Sequence, residues 1–291
     1  MRIAITGASG FISSRLIKKL ISNNNHKIIC LSSSIKSSSH KYWSASMSSK
    51  DTAKILKKCD LVIHLAAYIP LKQNDYVEAK KCINVNSLGT LNILQACVLA
   101  NVKRFVYISS FNIFSIDKKS NKKIIDCKNA PYYLGSKFLG EIYVKSNNFS
   151  QLSTLIIRLS SVYGKGMRKE VINTISRKLI KNQKITLNNN GQNQSDFLYI
   201  DDCVSAIRDL SLSNYAGEVD VGSGVSTKIY NLVIYIADVL SIKKKVKLVS
   251  KNSKDQKIYN AVDITKLQSI IKFNPAKIKE GLKKMFKKNK I

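Results

Sequence analysis

Tyr133 and Lys137 stand four positions apart, a spacing that on a helix puts both side chains on one face, within reach of a single bound molecule. An ammonium group beside a phenol favours the phenolate and brings its pKa down from about 10 toward neutrality, as a general acid or base requires. Ser110 closes the apolar run "RFVYISS" and offers a hydroxyl to the same substrate oxygen. The chemistry these residue types point to is proton transfer at that oxygen.

A second constellation lies at the start of the chain. In "ITGASGFISS" (5–14), Gly7 and Gly10 follow a strand ending in Thr6 and precede a helix from about Phe11. That arrangement aims backbone N–H groups and a helix N-terminus at a diphosphate. Glycine is needed at the first two places for the tight turn and for close backbone approach. Position 13, where a third glycine lets the helix pack on the strand, holds serine, which adds only a hydroxymethyl group, so the loop is expected to survive. No Asp or Glu occurs before Asp51, although an acid about 20 residues beyond the glycines is what bonds the ribose 2′-hydroxyl of NAD. In its place "LSSSIK" offers Ser32, Ser33, Ser34 and Lys36, which can accommodate a 2′-phosphate without charge repulsion. The cofactor is expected to be NAD or NADP, with a lean toward NADP.

The elements that must position these residues follow from periodicity. Apolar runs "RIAIT", "KIICL", "LVIHLAA", "RFVYISS" and "STLIIRL" alternate with helical patterns over Phe11–Ile21, Thr52–Lys58, Glu78–Ala100 and Tyr133–Lys145. Strands separated by helices mean βαβ units and a parallel, doubly wound α/β sheet. The serine-rich segment "SSSIKSSSHKYWSASMSSK" reads as a loop on the cofactor side. Beyond Gly164 the pattern is less regular, with helices expected over Glu170–Lys181, after "YIDD", over Lys228–Leu240 and over Pro275–Lys284, and a turn at "LNNNGQNQ". A dinucleotide-binding domain over 1–164 and a smaller, interleaved substrate-binding lobe over 165–291 are predicted.

Composition bounds the class. With 291 residues, 44% of them hydrophobic, the chain can bury a sizeable core. The opening "MRIAITG" begins a strand at once, leaving no room for a signal peptide, and no apolar run approaches the roughly 18 residues of a membrane span, so a cytoplasmic location is expected. The six cysteines lack CxxC spacing and mostly lie in apolar runs, which predicts reduced core residues rather than a metal site or a disulfide framework. The net charge is +31, and 16 lysines against 3 acids fall between Ser241 and Ile291. These lysines are dispersed and lack the interleaved aromatics of a base-stacking groove, which argues against a nucleic-acid partner; their field draws in an anionic substrate.

"TGASGFI" resembles the glycine loop of the extended short-chain dehydrogenase/reductase family, of the NAD-dependent epimerase/dehydratase type, whose members act mostly on nucleotide sugars. "CDLVIHLAA" (59–67), "NVNSLGTLNILQAC" (84–97), "FVYISS" (105–110), "YLGSKFLGE" (133–141), "IIRLSSVYGKG" (156–166), "SDFLYIDDCVSAI" (195–207), "DVGSG" (220–224) and "FNPAKIKEGL" are similar to the family's later motifs, in the family's order. The resemblance implies a Rossmann-type fold. It implies that Gly7, Ser9, Gly10, Phe11, Ile12, Ser32, Ser33, Leu65, Ala66, Ala67, Tyr133 and Lys137 hold the dinucleotide. Tyr133 would exchange a proton with a sugar hydroxyl while hydride moves between sugar and nicotinamide, Lys137 would hold the nicotinamide ribose, Ser110 would bond the sugar oxygen and Asn86 would support the proton path. A homodimer built on the helices carrying Asn86 and Tyr133 is also implied.

Departures from the family pattern narrow the expectation. The acidic pair that performs elimination in family dehydratases is replaced by Phe111 and Asn112, which argues against 4,6-dehydration. Ser195 stands where the family commonly has an arginine for the nucleotide diphosphate, leaving Lys165, Arg168, Lys169 or Arg177 to supply a cation. The expected activity is that of an NAD(P)-dependent oxidoreductase at C4 of a nucleotide-linked hexose, either a 4-keto-sugar reductase or a C4 epimerase. The alternative is a catalytically inactive, NAD(P)-responsive binding protein that uses its basic surface.

Overall fold

A computed structural model of the chain describes all residues except 24–25, 34–39, 73–74, 117–122, 147–150, 168–169, 243–245, 252–259 and 288–291. Ser34, Lys36, Arg168 and Lys169 lie outside the described residues. In chain order the first half comprises β1 (Arg2–Thr6), α1 (Phe11–Asn23), β2 (Lys27–Ser32), β3 (His40–Tyr42), α2 (Ser49–Leu56), β4 (Leu61–His64), α3 (Tyr76–Cys82), a π-helical turn (Ile83–Leu88), α4 (Gly89–Leu99), β5 (Arg104–Ser110), β6 (Phe114–Ile116), β7 (Lys123–Ile125), α5 (Pro131–Lys145) and β8 (Ser153–Leu159). There follow β9 (Ser161–Tyr163), α6 (Val171–Ile180), β10 (Ile185–Asn188), β11 (Gln194–Tyr199), α7 (Ile200–Leu212), β12 (Gly217–Val221), β13 (Ser226–Lys228), α8 (Ile229–Val239), β14 (Leu248–Lys251), α9 (Thr265–Ile270) and α10 (Ile278–Phe286).

Two compact units result. The first contains Met1–Leu159, Val204–Val219 and Ser269–Ile271; the second contains Ser160–Cys203, Asp220–Gln268 and Lys272–Ile291. The seven-stranded sheet has the order β12-β8-β5-β4-β1-β2-β3, and the β1–β2, β2–β3, β1–β4, β4–β5 and β5–β8 pairs all run parallel. From β1 the chain winds outward through β2 and β3, then returns to the other side of β1 with β4. Strand order therefore reverses between β1 and β4, the crevice at which open α/β sheets bind ligands.

Packing explains why those runs are strands. All four residues of β4 and the last six of β5 are buried, so both sheet faces favour a near-continuous apolar run, with the polar His64, Ser109 and Ser110 confined to the carboxyl ends of their strands. One face carries Ala4, Leu31, Val62, Phe105 and Tyr107 against Leu56, Ile93, Leu94 and Val144 of the helices. Each Leu, Ile, Val or Phe side chain among them contributes roughly 1.5–3 kcal/mol on full burial.

Several expectations need correction. The serine-rich segment is not loop throughout: His40–Tyr42 form β3, paired in register with Cys30–Ser32 at the sheet edge. Three residues are too short for alternation to reveal. The segment Tyr76–Leu99 forms 24 residues of continuous helix, long and apolar enough by length and composition to cross a membrane, where no such run was expected; its apolar window is half buried within the protein. Cys127 is only half-buried, while the other five cysteines lie in the interior.

In the second unit β9 and β11 pair in parallel, β13 joins β11 antiparallel, and β10 pairs with β14. Asp196 on β11 ties the unit together. Its carboxylate accepts from the amides of Ser223 (2.7 Å), Gly224 (3.0 Å) and Val262 (3.1 Å) and from the Ser160 hydroxyl (3.2 Å). Beside it a Cβ at Gly222 would lie 2.5 Å from Val262 Cγ2, which excludes any larger residue without repacking.

Candidate active site

The glycine loop lies at the carboxyl end of β1, on the switch point. Gly7 adopts φ +64°, a left-handed conformation, and a Cβ there would stand 2.8 Å from Cα of Ala66. Only glycine satisfies both conditions. The amide of Gly10 donates to the Gly7 carbonyl at 2.8 Å, closing the turn just before α1 begins. Ser13 takes the third place without disturbing the helix; its side chain is buried against the loop.

Around this turn opens a cavity of about 720 Å³ lined by Gly7, Ser9, Gly10, Ser32, Ser33 and Leu65–Ala67. Phe11 and Ile12, at the start of α1, do not line it; the Phe11 ring packs on the Arg15 guanidinium 4.2 Å away. The wall also includes Trp43, Ser44, Ala45, Ser46, Lys81, Asn84, Val85, Leu88 and Asn92, which pattern-reading does not find. Trp43 to Ser46 follow the unrecognised β3. Asn84, Val85 and Leu88 belong to the π-helical turn, whose wider winding breaks the 3.6-residue rhythm. The lining contains hydroxyls, amides and one ammonium but no carboxylate. A cradle that a Cβ would fill, a helix start and an acid-free wall fit a dinucleotide diphosphate.

The wall is held from behind. The Asn86 side chain, fully buried, accepts from the Tyr68 amide at 2.7 Å and donates to the Tyr68 carbonyl and to Ser136 Oγ, both at 2.9 Å. The Tyr68 hydroxyl donates to Glu78 at 2.8 Å, and Glu78 also accepts from the Leu71 amide at 2.6 Å. These bonds fix the segment after β4 and hold the Glu78 carboxyl below the ordinary carboxylate range. Both N–H groups of the Asn86 amide and one of the two acceptor sites on its oxygen are thus engaged in holding this wall.

Tyr133 and Lys137 lie on α5, Ser110 ends β5, and none of the three lines the 720 Å³ cavity. Among the described residues no hydrogen bond joins their side chains. The lysine does not lower the phenol's pKa as the four-residue spacing suggests: desolvation by burial pushes Tyr133 up to about 12, with Cys82 adding to the rise. Lys137 is itself buried and brought down to about 7, with Glu141 acting in the opposite sense. Its ammonium stands over the ring of Tyr107, 4.1 Å from the centroid. Tyr107 in turn donates to the Lys137 carbonyl at 3.1 Å, and its ring stacks on His64 at 5.8 Å.

His64 is a polar residue that spacing rules overlook, placed inside the apolar run of β4. It is fully buried, with Nδ1 2.7 Å from Thr6 Oγ1 and Nε2 3.1 Å from Thr90 Oγ1. Its imidazole in an apolar strand is the one signal the sequence carries for it.

One turn further along α5, Arg158 grips Glu141 through both Nε and Nη2, at 2.9 and 2.7 Å, with both side chains buried, and it also pairs with Glu218. The pair clamps α5 to β8.

In the second unit Ser195, where a cation was missing, bonds Ser161 Oγ at 2.7 Å. Lys165 and Arg177 are exposed. A separate cavity of about 530 Å³ in this unit is lined by Ser223, Val225, Thr227, Tyr235 and Pro275–Glu280 with Lys283, and Lys277, Lys279 and Lys283 put three ammonium groups on its wall.

Comparison with known proteins places this architecture. A family model described as the NAD dependent epimerase/dehydratase family matches residues 3–221. A putative UDP-glucose 4-epimerase of Methanocaldococcus jannaschii is 28% identical over 302 residues, covering 97% of this chain and 96% of that protein. A dTDP-D-glucose 4,6-dehydratase of Dictyostelium discoideum is 30% identical over 238 residues, 70% of this chain; this match spans only 54% of that relative's length. Among solved structures, UDP-glucuronic acid 4-epimerase from Bacillus cereus, in complex with UDP-glucuronic acid and NAD, has the same fold, with a TM-score of 0.85 at 20% identity over 98% of each chain. The matched span runs from the first strand of the sheet, with its glycine loop at the switch point, to the edge strand β12: the chain belongs to the NAD dependent epimerase/dehydratase family.

Proposed function

We propose that this protein is a C4 epimerase of a nucleotide-linked hexose, using NAD or NADP held in the cavity at the β1–β4 switch point. The observation that carries the reading is the glycine cradle at Gly7 and Gly10 in the same unit as the Ser110, Tyr133 and Lys137 set. A bound nicotinamide dinucleotide supplies the hydride chemistry. The chain's own part is proton handling: Tyr133 gives or takes the proton of the sugar's C4 oxygen, Ser110 donates a hydrogen bond to that oxygen, and Lys137 supplies positive charge once an anion beside it favours its charged form. Full-length likeness to a putative UDP-glucose 4-epimerase supports epimerisation. Phe111 and Asn112, neither of which can exchange protons at neutral pH, argue against 4,6-dehydration despite the partial likeness to a dehydratase.

A second reading, a 4-keto-sugar reductase using NADPH, is favoured by the acid-free wall beside Ser32 and Ser33. A panel of nucleotide sugars and their 4-keto derivatives, assayed with each dinucleotide, separates the two. The epimerase is purified with nucleotide bound and converts sugar without consuming added cofactor; stoichiometric loss of NADPH absorbance on a keto sugar assigns the reductase. We further propose that the second unit is the substrate-binding lobe, that the protein works in the cytoplasm, and that it is a homodimer. Exposed Leu88, Leu91 and Leu99 along the π-turn and α4, with Ile142 on α5, support the last point.

A further inference from the structure

A file of buried side chains runs from the strand that ends in the glycine loop to the helix that carries the phenol, and chemistry fixes the direction of every bond in it. The Thr90 hydroxyl donates to the Asn86 carbonyl at 2.7 Å, and a carbonyl can only accept. Its one proton is committed, so Nε2 of His64, 3.1 Å from the same oxygen, is the donor. Burial and the Lys137 ammonium hold the imidazole well below its ordinary pKa, so the ring is neutral and Nδ1 is bare. Nδ1 therefore accepts from Thr6 Oγ1 at 2.7 Å, and Thr6 Oγ1 accepts from the Ala66 amide at 3.1 Å. Ala66 and Gly7 line the cavity. At the other end Asn86 donates to Ser136 Oγ at 2.9 Å, and Ser136 donates to the Tyr133 carbonyl at 2.8 Å.

We propose that His64 is a positioning residue with two separable tasks: Nδ1 sets the dinucleotide cradle through Thr6 and Ala66, and Nε2 sets the phenol-bearing helix through Thr90, Asn86 and Ser136. The proposal rests on the dinucleotide reading above, and its test needs no sugar substrate. An asparagine side chain places an amide oxygen near the Nδ1 position, whereas glutamine reaches the Nε2 position with an amide donor. Both lose the ring's stacking on Phe105 and Tyr107. Dinucleotide affinity is read from fluorescence of Trp43, the single tryptophan and part of the cavity wall. The setting of α5 is read from the ¹³Cζ resonance of Tyr133 in tyrosine-labelled protein, assigned with Tyr133→Phe.

His64→Asn should bind NAD and NADP within about threefold of the unaltered protein and shift the Tyr133 resonance. His64→Gln should weaken both dinucleotides at least about tenfold and leave the resonance in place, the loss expected when a buried hydroxyl forfeits its acceptor. Thr6→Val and Thr90→Val, which keep the ring and its packing, should split the same way, Thr6→Val with the glutamine variant and Thr90→Val with the asparagine variant. Loss of both readouts together in every variant, or a dinucleotide affinity untouched by Thr6→Val, overturns the proposal. If the unaltered protein binds neither dinucleotide, the cofactor reading falls and this one with it; binding by the unaltered protein without the split removes this inference alone.

Discussion

Nζ of Lys137 lies 4.1 Å from the centre of the Tyr107 ring, so the ammonium that the four-residue spacing assigns to Tyr133 is lodged on a different tyrosine. The ring face attracts the cation, but it does not replace the water that burial removes, and the lysine's pKa falls to about 7.

A stability signature follows. An unfolded lysine keeps its proton up to about pH 10.4. Between about pH 7 and that value the unfolded chain therefore binds more protons at this site than the folded one, and stability rises with pH, at up to about 1.4 kcal/mol per pH unit from this residue. Above about pH 10 the trend turns over, because Tyr133, raised to about 12, stays protonated when folded after its unfolded counterpart has ionised. Urea melts of the dinucleotide-free protein from pH 6.5 to 9.5 should show the rise, and Lys137→Met should flatten it. An equal slope in the two proteins counts against a neutralised lysine.

Tyr133→Phe removes the acid/base group while leaving the 720 Å³ cavity, which it does not line, unchanged. Turnover should fall by about 10² to 10⁴, the usual contribution of a positioned acid or base, with dinucleotide affinity by Trp43 fluorescence kept within about threefold. Wild-type turnover in this variant would refute the assigned role.

The glycine loop predicts opposite outcomes at two neighbouring places. Gly7→Ala puts a methyl group 2.8 Å from backbone Cα of Ala66 at φ +64°, and should cost roughly 1–3 kcal/mol in strain and lower dinucleotide affinity more than about tenfold. Ser13→Gly restores the missing third glycine inside α1. It should leave affinity unchanged and cost only about half a kcal/mol in helix propensity. Thermal melts with and without dinucleotide measure both; tighter binding by the Ser13 variant would mean that serine impairs the cradle.

How far such features can be read in advance depends on what they rest on. The five long apolar runs became β1, β2, β4, β5 and β8 because burial on both sheet faces leaves a signal several residues long. β3 is three residues long and β12 lies beyond the regular alternation, with only Val219 and Val221 buried, so neither leaves a long apolar signal. Gly7 and Gly10 are legible because a positive φ and a close backbone approach restrict residue type. The lodging of Lys137 on Tyr107, and the clasp of Asn86 on Tyr68, join segments 30 and 18 residues apart, and no local spacing encodes them. The π-turn that carries Asn84 and Asn86 is hidden for a related reason: its sequence "INVNSL" also satisfies an ordinary helix.

Asp196 concentrates four bonds on one carboxylate, three of them from backbone amides of two separate segments. Asp196→Asn replaces one acceptor oxygen by a donor facing N–H groups, leaving at least one amide unsatisfied at about 1–3 kcal/mol. Hydrogen exchange should accelerate about tenfold or more at Ser223, Gly224 and Val262, while β1 and β5 in the first unit exchange as before. Uniform acceleration across both units would show that Asp196 supports the whole fold and not these segments.

The Arg158–Glu141 pair makes the last prediction. Both side chains are buried, so removing Glu141 leaves the buried guanidinium to its part-exposed partner Glu218, a loss below the roughly 3–5 kcal/mol of a fully broken buried pair, whereas replacing both with apolar residues of similar size recovers most of it. Glu141→Leu should therefore destabilise the protein, and Glu141→Leu with Arg158→Met should be the more stable of the two despite carrying an extra change. The pair also bears on Lys137, one turn away on α5, whose charged form Glu141 favours. In Glu141→Gln the lysine should titrate lower still, moving the start of its stability window below pH 7 without altering the upper end. A window that stays in place, measured as the difference from the corresponding Lys137→Met protein, would mean that the carboxylate is screened from the lysine by the guanidinium it already holds.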